Sequence, residues 1–252
     1  MTDWTGLQTE LRIWYDEGLA MPLWWRDDDA VAQTTALDQM VARARDLNMP
    51  VHIAVIPKHA DQSLVDVVLA EPKLVPLVHG WAHENHATPG QKKSEFAEPR
   101  AAQLAEASAA IARMKSLFGT SFAEIFVPPW NRIDPALIPQ LPALGYAGLS
   151  TFTPRLSRLA TGGLVQINTH IDPIDWRGGG GLRAPAELLN ILIRHLQDRR
   201  AGQADTAEPL GMLTHHLVQD EETWRFTLEC LSRLMDAGAV PIDLQARLNS
   251  LP

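Results

Sequence analysis

The sequence predicts an α/β fold in which seven or eight strands alternate with helices and close into a (β/α) barrel. Three observations point there. Short apolar runs alternate with longer stretches of helical period, the pattern of a parallel sheet joined by helices. Acidic and histidine residues gather at the ends of the first, third, sixth and seventh runs, as they do when functional loops collect on the carboxyl face of a barrel. The glycine-rich phosphate loop that often follows the first strand of an open doubly wound sheet is missing.

Each element follows in order. The run "MPLWWRDDD" (21–29) reads as a strand with an acidic end. After it, Leu37, Met40, Val41 and Leu47 recur at helical spacing in "TTALDQMVARARDLN". "VHIAVIP" is the second strand, "DQSLVDVVLAE" a short helix and "LVPLVHG" the third strand; an Ala-rich helix is expected from Glu98 to Phe118, stopped by Gly119. Then come the strand "EIFVPPW", a short helix near "DPALIPQLPALG", and the strands "YAGLSTF" and "LVQINTHIDPIDW". "RGGGG" is a loop, "APAELLNILIRHLQDRR" a helix with Pro185 in its first turn, and "GMLTHHL" a strand. A helix over "DEETWRFTLECLSRLMDAG" and a short strand in "AVPIDL" complete the chain.

A chain of 252 residues can bury one full-sized core, so residues 1–252 are read as a single domain. The composition is 46% hydrophobic and 21% charged, without an apolar run long enough to span a membrane and without a basic, apolar leader. The expectation is a soluble, cytoplasmic protein with no export signal. Cys230 is the one cysteine, so no internal disulfide can form, and its apolar neighbours make it a small buried hydrophobe. A formal net charge of −8 and the lack of a long Lys/Arg cluster argue against nucleic acid or an anionic membrane as the main partner.

The chemistry is concentrated in a few clusters. In "HGWAHENH" (79–86), His79 and His83 are separated by three residues; on one helical turn both imidazoles reach one ion, whereas in an irregular loop they are simply polar residues. In "RDDD" (26–29), three adjacent carboxylates repel one another, and a cation or an arginine among them lowers that cost. One of the three can instead cap the helix near Thr34. Two His and one Asp would make a zinc-type shell with positions left for water and substrate, leaving the next carboxylate free as a base.

Taken together, "DDD" (27–29), "HGWAH" (79–83), "VPPWN" (127–131), "DPIDW" (172–176) and "LTH" (213–215) resemble the polysaccharide deacetylases of carbohydrate esterase family 4, the nodulation-type deacetylase homology domain. That family carries an Asp-Asp pair, HxxxH, RPPYG or a variant, a DxxDW-like segment and LxH in this order, and here each match ends a predicted strand. The resemblance implies a distorted barrel and a divalent metal, zinc first, held by Asp29, His79 and His83. It makes Asp28 the general base, with Asp27 and Asp28 as the shifted alternative to the pair Asp28 and Asp29. It makes His215 the general acid, Leu213 the lining of the acyl-methyl pocket, Asp175 the group that orients and charges His215, and Trp176 a wall. Trp130 and Asn131 fall at the substrate, where a backbone N–H would help hold an oxyanion. The roles agree with elementary chemistry, since an attacking water needs a carboxylate to take its proton and a departing amine needs an acid. His86 and His216 are read as rim residues, and His52, His59 and His195 as structural.

Two departures stand out. Val127 occupies the place of the family's motif arginine, and "AVAQT" follows the carboxylates where the family has Gly-Pro. Residues two apart in a strand face the same side, so Arg26 is positioned at the pocket to hold Asp28 in place of the missing arginine. In the alternatives, Arg26 merely balances the three aspartates or Arg132 takes the role. The functional expectation is a metal-dependent hydrolase removing an acetyl group from an N-acetylated amino sugar, acting on a small molecule or oligosaccharide. The competing readings are an amidase on a non-sugar C–N bond with the same barrel, and a catalytically silent carbohydrate-binding protein. Intact Asp28, Asp29, His79, His83 and His215 favour an enzyme over a binder.

Overall fold

The computed structural model describes residues 2–249. β1 (Pro22–Ala30) lies between β2 (Val51–Val55) and β8 (Leu210–Thr214) and runs parallel to both. The sheet continues from β2 through β3 (Leu74–His79), β4 (Ile125–Val127) and β5 (Gly148–Leu149) to β7 (Leu164–Gln166), every pairing parallel. β6 (Leu159–Thr161) adds an antiparallel hairpin to β7, and β9 (Val240–Pro241) pairs with the first residues of β1.

The ring closes through the segment that follows β7. Ile167 and Thr169 donate their amides to Leu149 and Thr151 on one side, while His170 and Ile171 donate to Gly211, and Leu213 to Ile171, on the other. Seven strands therefore form a distorted (β/α) barrel. The run 164–176 does not stay one regular strand: after Gln166 it pairs through single bridges at Thr169, Ile171 and Ile174, because it changes partner from β5 to β8 midway.

Strand alternation sorts the side chains into two cores. Trp24 faces inward to join Ala54, Leu77, Ile125, Val127 and Ile167, whereas Leu23 and Trp25 face the helices. Trp24 fills the barrel so fully that a Cβ on Gly211 would come within 2.4 Å of its Nε1, and that nitrogen donates to the Asn168 carbonyl. The foot of the barrel is sealed by α8 (Leu244–Asn249), where the Leu244 amide donates to His52 Nε2 while His52 Nδ1 meets the Trp25 carbonyl. An imidazole that accepts at one nitrogen and donates at the other is neutral, and burial lowers the His52 pKa to about 4.

The outer helices are α1 (Thr5–Asp16), α2 (Thr35–Asp46), α3 (Gln62–Ala70), α4 (Gln103–Phe118), α6 (Pro185–Arg200) and α7 (Glu221–Asp236), with the single turn α5 (Leu141–Leu144). Thr34, Asp61 and Asp220 cap α2, α3 and α7 by accepting backbone amides, so none of the three adjacent aspartates is a cap. Among the departures from expectation are a helix boundary and added elements, β6 and α8 included. α4 begins at Gln103, five residues later than the predicted Glu98, because the Gln103 side chain turns back onto the carbonyls of Phe96 and Glu98. α1 has no counterpart among the predicted elements; its Trp4, Leu7, Leu11 and Trp14 join the core, with Trp4 stacked on Phe226 of α7. No helix among the described residues is long and apolar enough to cross a membrane.

Candidate metal and acid–base site

The site forms where β1, β3, β4 and β8 end. β1 pairs with β2 in regular register up to Asp27↔Ile53 and then slips to Ala30↔Val55, so that Asp28 and Asp29 together oppose one residue. This is a β-bulge, and Asp29 absorbs it at φ 77°. In a regular strand Asp28 and Asp29 would face opposite sides. The extra residue swings Asp29 back beside Asp28 at the barrel mouth.

Asp29 there meets the two histidines. Its Oδ1 lies 3.2 Å from His79 Nε2 and 3.3 Å from His83 Nε2, and one ligand atom from each of the three residues falls within 4.8 Å of the others. His79 ends β3, and its Nδ1 is 3.0 Å from the Val127 carbonyl, which fixes the tautomer and leaves Nε2 to face the cluster. His83 sits on a tight turn, not a helix. Gly80 (φ 54°) and His83 (φ 56°) are both left-handed, and the ring of His83 packs 4.2 Å from Trp130.

Burial opposes the ionised form of Asp29, but the hydrogen bond from His79 and the charges of His79, His83 and His215 outweigh it and hold this carboxyl well below its ordinary range. Burial lowers the His83 pKa, and the neighbouring His79 lowers it further. For His79 burial works in the same direction, yet the charge of Asp28 and the contact with Asp29 turn the balance and raise its pKa. One carboxylate and two imidazole nitrogens in this arrangement are the donor set of a zinc-type site with open positions. The group fits the residues present.

Beneath the turn lies a carboxylate with no counterpart among the residues singled out from the sequence. Glu95 is buried and accepts the amides of Ala82 (2.7 Å) and Trp81 (3.2 Å), and burial raises its pKa. A Cβ on Gly80 would fall 2.3 Å from Glu95 Oε2, so only glycine fits there. Nothing in the local pattern around Glu95 signals this role; it depends on a loop folding back from thirteen residues away.

Asp28 is held by arginine. Arg26 Nη2 donates to Asp28 Oδ2 at 3.0 Å, and Nε stands 2.9 Å from Oδ1, close enough for an ion pair although out of line for a straight hydrogen bond. The guanidinium is fully buried, and its other donors go to Ser150 Oγ (2.8 Å), the Thr151 carbonyl and Asn131 Oδ1 (2.7 Å). Arg26 therefore stands against Asp28, on the side that strand parity expects, and Asn131, expected at the substrate, accepts from the same guanidinium at its Oδ1. Arg132, the rival arginine, donates to the Lys93 carbonyl.

Trp130 and Asn131 carry φ of 55° and 57°, two adjacent left-handed residues in the turn after β4. Such strain in bulky residues persists where the surroundings impose it, and here it turns one side chain onto His83 and the other onto Arg26.

Across the mouth, His215 follows β8, with its amide donating to Gln219 Oε1 and its ring edge-on to half-exposed Trp176 at 4.8 Å. Leu213 is buried two residues earlier on the strand, on the side opposite Leu210 and Met212. The motif match gives Asp175 the place that orients His215. Its carboxylate is committed elsewhere, accepting the amides of Arg177 and Gly178 in its own turn. Asp172, like Asp29, interacts with the charge of His215, and it also accepts Trp176 Nε1 at 2.8 Å; burial raises its pKa, and His215 pulls against that rise.

His216 is not a rim residue. It is buried, and its Nδ1 lies 2.5 Å from Asp27 Oδ1, opposite the barrel-facing side of β1. Burial disfavours its cation, but Asp27 outweighs the burial and raises the His216 pKa. His170, another buried imidazole, accepts the Gly211 amide at Nδ1 and faces Glu208 at 3.3 Å, away from the mouth.

No protein-family model and no curated protein matches the sequence. Solved structures do match in fold. The polysaccharide deacetylase Bc1974 from Bacillus cereus superposes with a TM-score of 0.52 at 14% identity, covering 87% of this chain and 89% of that one. The Bc1960 peptidoglycan N-acetylglucosamine deacetylase gives 0.55 at 14%, covering 90% and 87%. A family 4 acetyl xylan esterase from Clostridium thermocellum, in complex with a cobalt ion, gives 0.51 at 13%, covering 91% and 92%. The chain has a polysaccharide deacetylase-like fold.

Proposed function

We propose that the chain, with residues 1–252 acting as one catalytic domain, is a metal-dependent hydrolase that removes an acetyl group from an N-acetylated amino sugar or its oligosaccharide. The observation that carries this reading is the convergence of Asp29, His79 and His83 beside an arginine-held carboxylate, Asp28, with His215 across the opening. The fold it shares with a polysaccharide deacetylase, a peptidoglycan N-acetylglucosamine deacetylase and an acetyl xylan esterase supports this reading.

Asp29, His79 and His83 would hold the ion. When bound, a divalent metal such as zinc supplies a Lewis acid that polarises the acyl carbonyl. The remaining work belongs to the chain. Asp28, kept in place by Arg26, takes a proton from the water that attacks the carbonyl carbon. The Trp130 amide, in a turn where the Asn131 and Arg132 amides are already given to Pro128 and Pro129, is the backbone donor for the developing oxyanion. His215 gives a proton to the departing nitrogen as the C–N bond breaks, so that amide and water leave as acetate and amine. Leu213 lines the acetyl methyl, and Trp176 with Trp130 walls the sugar.

The test is a panel of N-acetylglucosamine, N-acetylated glucosamine oligomers, O-acetylated xylooligosaccharides and a simple N-acetyl alkylamine, incubated with zinc-loaded protein while acetate release is followed. Turnover of the N-acetylated sugars is expected. Turnover of the alkylamine in preference to sugars transfers the reading to a non-sugar amidase. Sugar binding by calorimetry with no acetate released from any member makes the protein a silent binder.

A further inference from the structure

Three carboxylates follow one another in β1, and the proposed reaction uses two. Asp27 is the third. Strand alternation turns it away from the barrel axis, toward the layer between β1 and β8, where it is completely buried. Its Oδ2 accepts from Thr214 Oγ1 at 2.5 Å and from the His216 amide at 3.0 Å, and its Oδ1 meets His216 Nδ1. Thr214 Oγ1 in turn accepts from Trp25 Nε1 at 2.8 Å.

The partners of this one carboxylate are the residues immediately before and after His215. Among the described residues the buried His215 Nδ1 has no hydrogen-bond partner, and the ring stands edge-on to that of Trp176. β8 itself ends at Thr214, and beyond the ladder the His215 backbone is held by its own turn, the amide donating to Gln219 Oε1 and the carbonyl accepting from Val218 and Gln219. A buried, fully satisfied polar network is also a costly one to disturb, which makes the clamp stiff.

From this geometry we infer that Asp27 is a positioning residue that sets His215 for proton delivery by clamping Thr214 and His216 on either side of it. The inference rests on the reading of His215 as the general acid. The three aspartates then divide the chemistry among them, with Asp29 serving the metal, Asp28 the water and Asp27 the acid.

A misplaced acid slows only reactions that need one. Breaking an amide requires a proton on the leaving nitrogen, whereas 4-nitrophenyl acetate releases a phenolate that leaves unprotonated. The variants are Asp27→Asn, Thr214→Val, which removes one of the three clamp bonds, and Thr214→Ser, which keeps the hydroxyl. His215→Ala is the reference. Displacement of a reacting group by about 1 Å costs on the order of 100-fold. Asp27→Asn and Thr214→Val are therefore expected to lower kcat on an N-acetylated glucosamine trimer by about 10- to 100-fold, with KM and the 4-nitrophenyl acetate rate within about threefold of wild type. Thr214→Ser should match wild type, and metal content should be unchanged in all. The His215 ring signals, read by NMR on protein with labelled histidine, should move in Asp27→Asn and Thr214→Val.

Equal losses on amide and activated ester, or an unmoved His215 signal, overturn the clamp. If His215→Ala slows both substrates alike, His215 is not the acid and the proposed reaction is what fails. A wild type that hydrolyses neither substrate likewise removes the reaction, and the His215 signals still decide whether Asp27 positions that ring.

Discussion

Replacing Arg26 by Met removes the guanidinium that holds Asp28 and strands a carboxylate whose side chain is 4% exposed. It also takes donors from Ser150 and Asn131. Breaking a buried ion pair by deleting one partner costs about 3–5 kcal/mol, because the remaining charge has neither water nor a counterion. At roughly 2–4 °C per kcal/mol for a chain of this size, Arg26→Met should melt roughly 6–20 °C below wild type. Buried pairs replaced on both sides by apolar residues are often neutral, so Arg26→Met/Asp28→Leu should regain most of the loss. Arg26→Lys should fall between, since one ammonium cannot serve Asp28, Ser150 and Asn131 in the planar fork that arginine offers. Thermal melts followed by circular dichroism decide the matter. An Arg26→Met protein melting within about 2 °C of wild type, or a double variant no more stable than the single, refutes the ion pair as the element that holds Asp28.

Other outcomes follow from the same geometry. His79→Ala and His83→Ala should each lose most bound zinc by elemental analysis, while the fold, read by circular dichroism, persists; full occupancy in both places the metal elsewhere. The His52 pKa near 4 lies below its unfolded value, so the folded state resists a proton that the unfolded chain accepts. Stability from this group is complete above about pH 6.5 and declines by about 3 kcal/mol as pH falls to 4, and an NMR titration should find His52 neutral down to that pH. Gly211→Ala drives a methyl against Trp24 and the backbone of Asn168 and Thr169. It should cost about 1–3 kcal/mol or more in denaturant unfolding, and a wild-type midpoint would show that Trp24 can move aside.

Much of this protein is legible from one dimension because its chemistry lies in short motifs at strand ends. The alternation of apolar runs with helical periods marks a parallel sheet, the polar strand ends choose the barrel, and HxxxH marks two imidazoles as a candidate pair, although the turn that joins them is not helical. Strand parity alone puts Arg26 beside Asp28. The N-terminal helix was equally available, with Trp4, Leu7, Leu11 and Trp14 at helical spacing.

What remained for the tertiary structure were the choices among chemically equivalent groups. Three adjacent aspartates look alike in sequence, and a bulge sends one to the histidines while strand alternation leaves one on Arg26 and turns the third to β8. The motif points to Asp175, but it is Asp172 that meets Trp176 and the charge of His215, while Asp175 folds into its own turn. Glu95 and His216 carried no local signal. Residue type and spacing record what a side chain is able to do, whereas its charge state and partners depend on groups brought close across the barrel, and electrostatic energy in a buried site changes steeply over a few ångströms that no spacing encodes.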